Sequence, residues 1–152
     1  MKTIFHAMFG MLSFGLILVS LMTSLIVEIW SSQRVIAGVK ALAFQSILLL
    51  LVLLGFAALL GLSLGRARQG NIVEAKKKRM VWLFAVAILI LLPVAYVLNK
   101  YAKQGQFNWA FIALQSVEYA FDIVFLVLLG LNIRDGNTLV RQSQGDFDDM
   151  QA

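Results

Sequence analysis

The apolar positions of this chain fall in four long blocks separated by charged clusters. No lysine or arginine lies between Lys2 and Arg34, between Lys40 and Arg66, between Arg79 and Lys100, or between Lys103 and Arg134. Each gap holds an apolar run of about the 20 residues needed to cross a hydrocarbon core. The pattern predicts spans near residues 4–29, 39–64, 80–98 and 109–133. In lipid each must be helical, because a spanning segment has to satisfy its own backbone hydrogen bonds. Connections at Trp30–Gly38 and Asn99–Asn108 are short, so consecutive helices should be antiparallel neighbours. The first span reads as a permanent anchor, since it is long for a signal peptide and Ile26–Trp30 offers no small-residue cleavage site. The fold class is therefore all-α integral membrane protein, an antiparallel four-helix transmembrane bundle over residues 1–141. A polar, acidic tail over 142–152 is expected to be disordered in the cytoplasm.

Composition sharpens this picture. AVILMFWYC residues make up 61% of the 152-residue chain and charged residues 14%, too apolar for a soluble fold to conceal. With no cysteine, disulfides, thiolate metal sites and thiol nucleophiles are excluded. One histidine, His6, argues against haem, a His-rich metal centre or His-based acid–base chemistry, and reads as an interfacial residue. No metal or cofactor is expected.

Charge sets the orientation. An even number of spans puts both termini and the middle loop on one side. That side carries Lys2, Arg66, Arg68, Lys76, Lys77, Lys78, Arg79, Arg134 and Arg141, nine of the 13 basic residues. The positive-inside rule makes it cytoplasmic, giving an N-in, C-in topology in a bacterial-type inner membrane. Trp30, Tyr101 and Trp109 would then mark the outer interface and Trp82 the inner one. Arg66, Arg68 and Lys76–Arg79 form a basic loop suited to anionic headgroups. Nucleic acid is not an expected partner, because the cluster is short and lacks interleaved aromatics.

Finer punctuation gives local expectations. Asn71 with Glu74 has capping-box spacing, so the third helix should begin well before Met80. Pro93 should kink the third span by removing one hydrogen bond and crowding the Leu89 carbonyl. Gly136 resembles the glycine that ends a helix. Ala57, Gly61 and Gly65 form a small-residue stripe for close helix–helix contact, within the bundle or between copies.

The fourth span carries the chemistry. Gln115, Glu118 and Asp122 share one face. Counted from Trp109, Glu118 lies about 14 Å deep and Asp122 about 20 Å, straddling the middle of the bilayer. Each ionised carboxyl there costs on the order of 2.5 kcal/mol or more. The only lysine or arginine within the predicted spans is Lys40, at the outer boundary of the second, so the sequence suggests no deep counter-ion. Ser13, Ser20, Ser24 and Glu28 on the first helix and Gln45 with Ser46 on the second are the polar groups expected to converge with the acids in a seam.

These features support three functions. The first is a non-enzymatic, self-assembling or accessory subunit of a membrane complex, forming a homo-oligomer or docking on a larger membrane partner. The alternative is a proton- or cation-translocating component using Glu118 and Asp122, with Gln115, Gln45, Ser20 and Ser24 along the path. The third is a membrane enzyme acting on a lipid-soluble substrate.

Overall fold

The unbroken apolar runs leave a helix nothing to stop it before a polar turn, and the elements observed are long. In a computed structural model, the backbone is described for residues 2–65 and 71–149, and side chains for 4–61 and 74–138. Helix α1 covers Lys2–Trp30 and α2 covers Gln33–Gly65. The third apolar block is α3, Asn71–Val86, a π-helical turn at Ala87–Leu91, and α4, Leu92–Lys103. Helix α5 runs from Trp109 to Asp149. Four segments, Ile4–Trp30, Gln33–Gly61, Glu74–Lys103 and Trp109–Thr138, are long and apolar enough to cross a membrane. No strand occurs among the described residues.

Both described turns are tighter than the sequence suggests. Only Ser31 and Ser32 separate α1 from α2, and the Ser32 carbonyl accepts hydrogen bonds from the amides of Val35 and Ile36. The second turn spans residues 104–108. There the Gln106 amide donates to the Tyr101 carbonyl and the Gly105 amide to Ala102, the bond pair of a Schellman ending. Gly105 has φ +68°, a left-handed backbone that glycine adopts without steric cost. Asn108 Oδ1 then accepts the Phe111 amide at 3.1 Å and caps α5.

Pro93 produces a widened turn. The Leu92 amide donates to the Ala87 carbonyl, five residues back. Proline has no N–H to offer Leu89 and its ring crowds that carbonyl. Displacing the preceding bonds by one residue accommodates both, and the extra residue rotates α4 about the helix axis. Ala87, Leu91, Ala95 and Leu98 thereby all remain buried.

Gly136 does not end α5. Helical backbone continues through it and over 142–149, where a disordered tail is expected from composition. Once a helix is nucleated each added residue gains a hydrogen bond without a new nucleation cost, and no proline intervenes. Gly136 instead gives room to Lys76, whose Nζ lies 3.1 Å from where a Cβ would stand. Residues 150–152 lie outside the described residues.

The main core joins every helix. Ile17 of α1, Ile47, Leu50 and Leu54 of α2, Leu83 of α3, Leu91 of the π turn, Ala95 of α4, and Phe125 and Leu129 of α5 form one buried cluster. A smaller cluster, Leu98, Ala102 and Phe111, lies near the 104–108 turn. The perimeter is apolar as well: Val19, Leu42, Val52, Leu89 and Val127 are all more than half exposed. A surface of this kind is suited to lipid rather than water. Trp30, Trp109 and Trp82 are likewise exposed, at 82%, 81% and 68%.

Candidate functional site

Two seams of buried positions bring the chemistry together. Along α2, Lys40, Ala43, Ile47, Leu50, Leu54 and Ala57 are buried at alternating steps of three and four. On α5 the same alternation buries Phe111, Gln115, Glu118, Asp122, Phe125, Leu129 and Asn132. That rhythm holds one helix face against a neighbour. Gln115, Glu118 and Asp122 are thus core positions, and Lys40 occupies the first buried position of α2.

Lys40 overturns the expectation that the acids have no deep counter-ion. It is 1% exposed, and its Nζ donates to Glu118 Oε2 at 2.7 Å, with Glu28 Oε1 at 3.4 Å. The same ammonium lies 5.4 Å from the centre of the Tyr119 ring, within cation–π range. The sequence reading starts the second helix at Val39, at the onset of the apolar run. The Ser31–Ser32 turn starts it at Gln33 instead. Lys40 is therefore two turns inside the helix, and its flexible stem delivers the charge inward.

One lysine thereby ties three helices together: α1 through Glu28, α2 through Lys40 itself, and α5 through Glu118. Gln115 completes the ring, its Nε2 donating to Glu28 Oε1 and to the Tyr119 hydroxyl. Gln115 Oε1 is buried without a hydrogen-bond partner. Asp122, 6% exposed, is one turn further along the same face and within the electrostatic field of Glu118 and Lys40. The site is lopsided in charge, with one buried ammonium for three carboxyl groups, two of which it contacts. An unpaired charge in such surroundings is far costlier than a paired one.

Among the remaining predicted residues, Ser24 is buried and Ser20 half-buried on the α1 face that carries Glu28. Ser13, fully buried, turns its hydroxyl back to the Phe9 carbonyl at 2.8 Å. Gln45 does not join them. It is exposed on the perimeter of α2, because it falls between the buried positions Ala43 and Ile47. A helix presents a given face every three to four residues, and Lys40 and Ala43 already set that phase.

The small-residue stripe meets a side chain of this chain. Ala57 is buried and its carbonyl accepts a hydrogen bond from His6 Nδ1 at 2.9 Å. The His6 Cε1 lies 3.1 Å from where a Gly61 Cβ would stand. The surroundings of Gly65 lie outside the described residues, as do Arg66 and Arg68. Lys77 and Lys78 are exposed, and Lys76 and Arg79 half-buried.

A second, smaller polar group occupies the opposite end of the bundle. Arg79 Nη2 donates to Asp135 Oδ2 at 2.5 Å, joining α3 to α5. Asn132 Nδ2 donates weakly to Met80 Sδ at 3.5 Å. Ten residues of α5, about 15 Å, separate Asp122 from Asn132. Phe125 and Leu129, with Leu50, Leu54, Leu83 and Leu91, fill that interval.

Lys40 and Tyr119 are the site residues absent from the sequence reading. The signal for Lys40 is the buried three-four rhythm of α2 extended back one step from Ala43, which lands on it. Comparison with protein families, characterised proteins and solved structures found no match for this chain.

Proposed function

We propose that this chain is a non-enzymatic, proton-translocating component of a bacterial-type inner membrane. Its four spans form an antiparallel bundle with both termini cytoplasmic. The observation that carries this reading is the imbalance of the buried site, in which Lys40 contacts Glu28 and Glu118 while Asp122 lies one turn further along the same face with no ion pair among the described residues. A single ion pair uses one acid per base, and here the acids are in excess. Surplus intramembrane acids are typical of ion and proton pathways.

Proton rather than metal-ion traffic fits the site, because the Lys40 ammonium occupies the position between Glu28 and Glu118 that a metal cation would take. Glu28, with its side chain 23% exposed, is the contact with the outer face. Gln115 and Tyr119 bridge inward from it, and Glu118 and Asp122 lie deepest. Ser24 and Ser20 line the α1 side. The apolar interval below Asp122 closes the path toward the Arg79–Asp135 end, so this conformation is occluded on the cytoplasmic side. The π turn contributes Leu91 to that plug.

The competing role of a self-assembling or accessory subunit draws on the Ala57–Gly61–Gly65 stripe and on acids without a partner. Ala57 and Gly61 receive His6, and Glu118 holds Lys40, so these features are engaged within the chain. Proton flux into liposomes, compared between the wild type and Glu118→Gln and Asp122→Asn variants, tests the proposal. Unchanged flux in both variants would refute it.

A further inference from the structure

Gln45 is a polar side chain on an apolar surface. It lies on the exposed stripe of α2 formed by Gly38, Leu42, Gln45, Leu49 and Val52, at steps of four and three. No hydrogen bond within the described residues engages its amide. It lies five residues beyond Lys40, about 7 Å further along the helix. Given the Lys40–Glu118 contact, that is near the level of Asp122. A side chain with two methylenes cannot lift its amide from this depth to the headgroups, as a lysine does nearer an interface. In hydrocarbon an amide without a partner is strongly unfavourable.

We propose that this stripe is the contact surface for a second copy of the chain, related by a two-fold axis that pairs the two Gln45 amides. The occupant is dictated by the chemistry of the group. A primary amide has both a donor and an acceptor, so two of them facing each other form a reciprocal pair, each N–H donating to the other's oxygen. A second copy necessarily presents that same amide at that same depth. The alternating spacing is that of a left-handed helix pair, in which a single buried amide among apolar seam residues fixes register. Gly38, with nothing within 4 Å of where a Cβ would stand, lets the two backbones approach at one end of the contact. This face is distinct from the one carrying Ala57 and Gly61, and the proposal is independent of the proton pathway.

The chain has no cysteine, so single cysteines report contacts without background. Leu42→Cys and Leu49→Cys, each one turn from Gln45, are oxidised in native membranes beside Val81→Cys and Ile123→Cys, exposed on α3 and α5. The expected result is a disulfide-linked homodimer for at least one α2 position, none for the two controls, and loss of that dimer when Gln45→Leu is added. Gln45→Leu replaces a polar perimeter residue with an apolar one and should leave the monomer's amount and elution unchanged. The proposal is overturned by dimer at all four positions alike, by dimer that survives Gln45→Leu, or by cross-linking only to other proteins.

Discussion

Lys40 Nζ lies 2.7 Å from Glu118 Oε2, and both side chains are almost wholly removed from solvent. This contact joins α2 to α5 in the half of the bundle nearer Trp30 and Trp109. Lys40→Met retains the length of the side chain but removes its charge, leaving Glu118 buried without its counter-ion. Breaking a buried pair from one side costs about 3–5 kcal/mol. Thermal unfolding in detergent should show that loss for Lys40→Met. Most of it should return in Lys40→Met/Glu118→Gln, and additive effects in the double variant would contradict a direct pair.

The His6–Gly61 contact supplies a second prediction. Gly61→Leu places a branched side chain where the His6 ring already lies 3.1 Å from the Cβ position. Overpacking of this kind costs about 1–3 kcal/mol. Part of that stability should be recovered on adding His6→Ala, which vacates the space. A Gly61→Leu protein as stable as the wild type would show that α1 and α2 do not approach here.

At the other end of the bundle, Asp135 contacts two arginines of unequal standing. Arg79 is 2.5 Å away and 21% exposed, whereas Arg134 is 3.6 Å away and 75% exposed. Arg79→Gln should therefore lower stability by about 1 kcal/mol, and Arg134→Gln by clearly less. The Arg79 effect should shrink as salt is raised, because the pair is partly open to solvent. Equal melting temperatures for the two variants would contradict the geometry.

Much of this arrangement is legible in the sequence because it depends on length and apolarity. The four long apolar helices, the early start of the third and the burial of Gln115, Glu118 and Asp122 all follow from periodicity and the cost of exposing polar groups to an apolar solvent. Hydropathy misreads the helix ends. It starts the second helix at Val39, so Lys40 is taken for a boundary residue, although Ser31–Ser32 alone makes the turn. Gly136 is misread for a related reason: a glycine signals a helix end only where the chain reverses, and here it admits Lys76 instead. Gln45 is misplaced by reading depth without phase. Tyr119 is not anticipated because its role arises from contacts across helices, which one helix's pattern does not contain.

The central claim is that the surplus buried carboxyls carry protons across the bundle. It is tested most directly by loading a pH-sensitive dye into liposomes that contain the purified protein and imposing a potassium diffusion potential. The wild type should acidify or alkalinise the lumen according to the sign of the potential. Glu118→Gln/Asp122→Asn, folded and inserted to the same extent, should match empty liposomes. Flux in the double variant equal to wild type, or a silent wild type beside an active control channel, would contradict the account.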